Sequence, residues 1–433
     1  HINLVQFYDW SYRHDSLVAP QEDYHDMMGK EISGSTVKAK IAKAKALGMH
    51  PTAYGAVYAA SKPFFEKHPT WAFYNSCQEP FVFIDVFYIM NIAEGSPWRK
   101  HLFEEYQNAI SMMGFSGIHM DTYGFPKTAY SHLDAIPKKI KLEDELPTLI
   151  DETRENVHGE EEPYLIFNNV GAWPVQRTAD RKQDAVYIEV WPPYDRYASI
   201  AQLIRDARTY AKDDKSIILA AYLKPFREGK REKALPAARL LMGSIVSNGA
   251  THLLTGENQT ALTQGYYSDY TKFSDSEAEA IRRYYDYMIR YENLFFDPEL
   301  QDVTMTHTGW DNYEYQCTSH KVSSYGEAGK IWMILREKDY RKCIYLLNLC
   351  GQSEDYWNEG KEEPNIQKDI KFTVQVDTPV EKICFSTPDG KNMDAVELLF
   401  TERATRTGKF IDFTVPSLNY WTTIWIDTRK ETI

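Results

Sequence analysis

The stretch FSGIHMDTYG (115–124) is a short apolar run that ends on a lone carboxylate, Asp121, and then breaks at a Thr-Tyr-Gly turn. Such a run, bounded by glycines, reads as a buried strand whose terminal acid stands at the rim of a sheet. The same unit recurs along the chain. INLVQFYDW (2–10), HPTAYGAVYAA (50–60), FVFIDVFYIMN (81–91), YLIFNNVGAW (164–173), AVYIEVW (185–191), IILAAYLKPF (217–226) and THLLTGEN (251–258) bring the number of runs to eight. Between them, apolar residues recur at three and four in STVKAKIAKAKALGM (35–49), WRKHLFEEYQNAISMMG (98–114), DRYASIAQLIRDARTYA (195–211), ALPAARLLMGSIVSNG (234–249) and SDSEAEAIRRYYDYMIRYENLFF (274–296), which predicts helices.

Nearly continuous apolar strands, each followed by an amphipathic helix, belong to a parallel sheet covered on its outer face. The expectation is an α/β fold, a (β/α)8 TIM barrel over residues 1–298. A doubly wound open sheet is the runner-up, but no Gly-rich phosphate loop follows the first strand. The helix between the fifth and sixth runs is reduced to QRTADRKQ (176–183), short and polar enough to predict a stub. After Pro298 the texture changes to short alternating strands separated by turns. They are DVTMTHTGW (302–310), KIWMILREK (330–338), KCIYLLNLCG (342–351), IKFTVQV (370–376), EKICFSTPDGK (381–391), KFIDFTVPSL (409–418) and YWTTIWID (420–427). They predict a C-terminal antiparallel β-sandwich over 299–433.

A net charge of −13 without clustered Lys or Arg argues against nucleic acid as a partner. The 30 Tyr, 20 Phe and 10 Trp tilt the reading towards carbohydrate, because these rings offer flat apolar faces, two of them with a polar handle. The five cysteines form no CxxC pair, and no histidine or cysteine spacing suggests a metal, so neither metal nor cofactor is expected. No apolar run is long enough to cross a bilayer. The chain opens at His1 without a signal peptide and reaches its first strand at once, so an upstream portion is expected to have been removed.

In barrels the C-terminal strand ends carry the chemistry. Here they hold Tyr8, Asp9 and Trp10; Tyr54 and Tyr58; Asn91; Asp121, Thr122 and Tyr123; Asn168, Asn169 and Trp173; Glu189 and Trp191; Tyr222 and Lys224; Glu257 and Asn258. Carboxylates, amides and aromatics with few basic groups make a sugar site. Cleaving an acetal needs a proton for the leaving oxygen and a carboxylate facing the anomeric carbon, and Asp121 and Glu189, two strands apart, form the candidate pair. For either acid alone, a helix cap or ion pair is the more ordinary use; as a pair in this setting, catalysis is the better reading. Asp9 and Glu257 are read equally as ligands for sugar hydroxyls or as ion-paired rim residues. His119, two residues before Asp121, shares its strand face and is read as a core histidine.

The motifs QFYDWSYRHD (6–15), FSGIHMDTYG (115–124), FNNVGAW (167–173), YIEVWPP (187–193) and HLLTGEN (252–258) resemble, in order, the barrel motifs of glycoside hydrolase family 66. That family contains endo-dextranases and cycloisomaltooligosaccharide glucanotransferases. The resemblance implies that Asp121 is the nucleophile and Glu189 the general acid/base of a retaining enzyme acting on α-1,6-glucan such as dextran or isomaltooligosaccharides. It places Tyr8, Asp9, Trp10 and Tyr12 near the cleaved glucose. Tyr54, Tyr123, Asn169, Trp191, Lys224, Glu257 and Asn258 complete the set expected at the substrate. Cyclising members resembled here typically carry an extra carbohydrate-binding module inserted within the barrel region, and no spare segment of that size is visible, which favours hydrolysis. Secretion or display at the cell surface, and a monomer, are the accompanying expectations, with a carbohydrate-binding protein on an inactive barrel as the alternative of another class.

Overall fold

Gly117–Asp121 is a strand, and its entry is prepared by the helix before it. In the computed structural model, which describes residues 2–212, 214–265, 271–309 and 311–429, helix Pro97–Asn108 runs into a wide turn, Ala109–Met113, that ends on Gly114 at φ +85. Glycine is suited to that left-handed position, and it turns the chain into the strand. The helix starts where Ser96 Oγ accepts from the Trp98 N–H, with Pro97 at its first turn.

Seven parallel strands follow in chain order: β1 (Leu4–Phe7), β2 (His50–Ala56), β3 (Gly117–Asp121), β4 (Tyr164–Val170), β5 (Ala185–Glu189), β6 (Ser216–Ala220) and β7 (Thr251–His252). This is a parallel α/β layer with helices, followed by an antiparallel β region. The chain divides into two compact units, one of Ile2–Glu189 with Asp206–Ile217, the other of Val190–Arg205 with the described residues from Ile218 onward.

In the first unit, β1 to β5 pair in sequence, each with the next. Tyr106 of the helix Pro97–Asn108 donates to the Gly55 carbonyl at 2.9 Å, and Trp98 Nε1 to that of Val57, also at 2.9 Å. A Cβ on Gly55 would lie 2.4 Å from the Tyr106 ring, so the helix packs on β2 only because that residue is glycine. The stub expected between the fifth and sixth runs is the four-residue helix Val175–Thr178.

One expectation changes. The run FVFIDVFYIMN is not a parallel strand between β2 and β3, which pair directly through Tyr54 and His119. It folds as an antiparallel hairpin, Val82–Phe83 against Phe87–Ile89, with Ile89 pairing onward to Ala59.

In the second unit, Ile218 and Leu219 pair in parallel with Thr251 and His252. Helix Asp275–Arg290 begins with a reciprocal cap, Ser274 on the Glu277 N–H and Glu277 on the Ser274 N–H. The β region stacks two sheets. The first carries Ile331–Lys338, Arg341–Asn348, Trp421–Thr428 and Val380–Ser386 at its centre, and the second has the order Tyr315–Cys317, Gln367–Val376, Gly408–Leu418, Phe400–Thr405. Met333, Ile344 and Ile424 of one meet Phe372, Val374 and Ile411 of the other in a buried core. Of the expected strand DVTMTHTGW, only Asp302 is in a strand, paired with Arg336, while Trp310 lies outside the described residues.

Candidate active site

Residues level with each other on neighbouring parallel strands share a face of the sheet, so the face that carries Asp121 follows from the register. His119 is level with Tyr54, and Asp121 with Ala56. Phe167 is level with Met120, which brings the next residue, Asn168, beside Asp121. Asn168 is in turn level with Tyr187, two residues before Glu189. Tyr54, His119, Asp121, Asn168, Tyr187 and Glu189 therefore stand on one face, with the two acids closing β3 and β5.

On that face one amide ties the acids together. Asn168 Nδ2 donates to Asp121 Oδ1 at 2.7 Å and to Glu189 Oε2 at 3.3 Å. Because one nitrogen lies at those distances from both, the two oxygens are about 6 Å apart at most. The other Asp121 oxygen, Oδ2, accepts from the Tyr54 hydroxyl at 2.7 Å. Burial, and then the Glu189 charge, push the Asp121 carboxyl up to about 7, against the pull of the Asn168 and Tyr54 donors. Burial lifts the Tyr54 phenol well above its ordinary range, so it stays a donor.

His119 is buried, meets the Tyr187 ring edge-on at 4.6 Å, and is pushed down to about 3 by desolvation. It is a neutral core side chain. Beyond Asp121, the Tyr123 N–H donates to the Tyr58 hydroxyl, and the Tyr123 ring stacks on Phe83 of the hairpin at 4.3 Å.

The first-strand residues divide by role. Tyr8 is exposed and packs its ring 4.7 Å from that of Tyr54, next to the acids. Trp10 is buried, its indole N–H donating to the Tyr54 carbonyl at 3.0 Å, and so it braces that strand. Asp9 forms an ion pair with Lys30 at 2.6 Å. Tyr12 lies under the Arg13 guanidinium at 4.1 Å and against Tyr24. Asn169 turns to the opposite face from Asn168: its Nδ2 donates to the Tyr187 carbonyl at 2.9 Å and its Oδ1 accepts from Thr178 at 2.6 Å.

The remaining expected residues belong to the second unit. There the Trp191 ring lies 6.2 Å from Tyr222, and Lys224 pairs with Glu359. Glu257 and Asn258 are exposed in a short turn, with Asn258 left-handed at φ 55.

Two carboxyls bridged at this range, one of them held by two donors, can deliver a proton at one point and present an anion at another. Among the described residues no group of three or more His, Cys, Asp or Glu is arranged to hold a metal ion.

A family model described as glycosyl hydrolase family 66 matches residues 1–425. A cycloisomaltooligosaccharide glucanotransferase of Niallia circulans is 21% identical over 574 residues, covering 98% of this chain and 58% of its own length. The chain thus spans a little over half the length of that curated relative. Among solved structures, a cycloisomaltooligosaccharide glucanotransferase of Paenibacillus sp. complexed with cycloisomaltoheptaose superposes with a TM-score of 0.88 at 18% identity, over 98% of this chain and 80% of that one. A maltogenic α-amylase from Thermotoga neapolitana superposes with a TM-score of 0.58 at 10% identity, over 99% and 91%. At these identities the structural likenesses show a shared fold.

Proposed function

Because the chain belongs to glycosyl hydrolase family 66, we propose that it is a retaining, endo-acting hydrolase of α-1,6-glucosidic linkages in dextran. The observation that carries this reading is the Asn168 bridge, which keeps the facing oxygens of Asp121 and Glu189 within about 6 Å. Retaining glycosidases hold their carboxyls ~5–5.5 Å apart, while inverting ones leave ~6.5–9.5 Å for a water.

Asp121, with donors on both oxygens, is the nucleophile, and Glu189 is the acid and then the base. In the first step the Glu189 proton passes to the glycosidic oxygen, the bond from that oxygen to the anomeric carbon breaks, and Asp121 bonds to the anomeric carbon. In the second, a water gives a proton to Glu189, its oxygen attacks that carbon, and Asp121 leaves as a carboxylate. The names of the relatives support isomaltooligosaccharides and α-1,6-glucans as the substrate class.

The same relatives favour a second reading, in which the far end of the glucan rather than water attacks the intermediate and closes a ring. A non-catalytic glucan-binding role is opposed by the intact acids and their donors. Closure of the seven-stranded parallel layer into a barrel up to residue 298, the β-sandwich from 299, action as a monomer, and secretion or surface display belong to the same proposal.

The test is the anomeric course of dextran cleavage followed by NMR. The α-anomer should appear first and mutarotate later; β-anomer at the earliest times would mean inversion. Asp121→Asn should lower turnover about 10⁴-fold or more, as removal of a covalent nucleophile does. Near-normal activity in that variant would overturn the assignment.

A further inference from the structure

We propose that Asn168 is the positioning residue that follows the negative charge from Asp121 to Glu189 and back during turnover. The inference rests on the two-step reading above. In that reading the charge sits on Asp121 before the first step, on Glu189 in the covalent intermediate, and on Asp121 again after the second. One donor group touches both places.

The geometry puts a single amide nitrogen on both acids. A hydrogen bond to an anion is shorter than one to a neutral acid. Asn168 holds Asp121 at 2.7 Å and Glu189 at 3.3 Å. Once the anomeric carbon bonds to Asp121, that carboxylate becomes a neutral ester while Glu189 is left anionic. The Asn168 N–H bonds then reverse their order of strength, and Glu189 is held charged and aimed for its work as base.

The amide is free to do this. It is buried, its Oδ1 makes no hydrogen bond among the described residues, and its Nδ2 bonds go to the acids alone. Tyr54 adds a second donor on Asp121, at its other oxygen. The other titratable groups acting on Asp121 are the phenols of Tyr54, Tyr58, Tyr106 and Tyr123, all raised by burial. On the same face, His119 is kept neutral.

The experiment compares Asn168→Ala with Asn168→Asp in the pH dependence of kcat/KM, with Asn168→Ser replacing alanine if that variant loses its fold by circular dichroism. Loss of a donor that stabilises both anions moves both limbs of the bell upward, by about 1 pH unit. Aspartate is nearly isosteric, so a residue that only fills space tolerates it better than alanine. A charge-following donor does the reverse, and Asn168→Asp should have the lower kcat/KM and the higher acid limb.

With an isomaltosyl fluoride, whose leaving group needs little acid help, Asn168→Ala should accumulate an isomaltosyl adduct on Asp121 as fluoride leaves, seen by mass spectrometry. Limbs that stay in place, or an aspartate variant more active than the alanine one, overturn the proposal. If trapping with a slow fluorinated glucosyl donor leaves the wild-type Asp121 unlabelled, the two-step reading itself falls. If Asp121 is labelled and the limbs do not move, only the role of Asn168 falls.

Discussion

Asp121 keeps a carboxylate where burial opposes it. Its carboxyl is raised from 3.8 to about 7 in the folded protein, first by desolvation and then by Glu189. The folded state thus binds this proton more tightly than the unfolded chain does. Stability is lost as pH rises from about 4 to about 7, and the whole penalty stands above that window. Asp121→Asn removes the penalty along with the activity. The variant should be more stable than the wild type by about 1–2 kcal/mol at pH 8, less than the full shift implies because an amide N–H then faces the existing donors. The difference should fade by pH 4. Denaturant titrations at the two pH values check this, and equal stability at pH 8 would show that the site does not strain against its own charge. A site that is costly to maintain in this way is expected where a reactive anion has to be kept short of water.

At the scale of elements, the hairpin Val82–Ile89 holds the strain worth testing. Its turn is closed by the Val86 N–H on the Phe83 carbonyl at 3.1 Å, with Ile84 at φ 46 and Asp85 at φ 59. Tight hairpins ask for left-handed residues in this place, usually Asn or Gly, and a β-branched side chain there is costly. Ile84 is also 46% exposed, so little packing repays it. Ile84→Asn should raise stability by about 1 kcal/mol in urea unfolding; an unchanged or lower midpoint would mean that the isoleucine makes contacts that outweigh the strain.

The same turn explains what the sequence did not disclose. FVFIDVFYIMN is strand-forming apart from Asp85, and with no Gly or Asn at the turn itself little in it marks a reversal, so it reads as one parallel strand where the fold has two antiparallel ones. The α/β class was legible because the apolar runs are long and repeated. Asp121 and Glu189 were legible as acids ending such runs. Which of Asn168 and Asn169 serves the acids was not, because YLIFNNV is buried on both faces and carries no alternation. Only the register with Met120 and Tyr187 decides it.

For the whole molecule the open choice is between water and the far end of the glucan as acceptor. The match to the Niallia circulans relative runs over 574 residues, against 433 in this chain, so 141 or more positions inside the matched stretch have no counterpart here. Cyclisation needs a distant chain end returned to the intermediate, and closing a long flexible loop is entropically costly. A second binding module offsets that cost by raising the local concentration of the chain end, an effect of avidity and not of chemistry at the acids. If the unmatched positions form such a module, a chain without them leaves the returning end to compete with solvent unaided. Dextran digested to a few per cent should therefore yield linear isomaltooligosaccharides with free reducing ends. Treatment with an exo-acting α-1,6-glucosidase should then degrade nearly all of them to glucose, because each has an end to attack. Cyclic products survive that treatment, and a resistant fraction making up most of the digest would show that this chain returns the glucan end without the extra segment, and would assign the choice of acceptor to the loops around the acids.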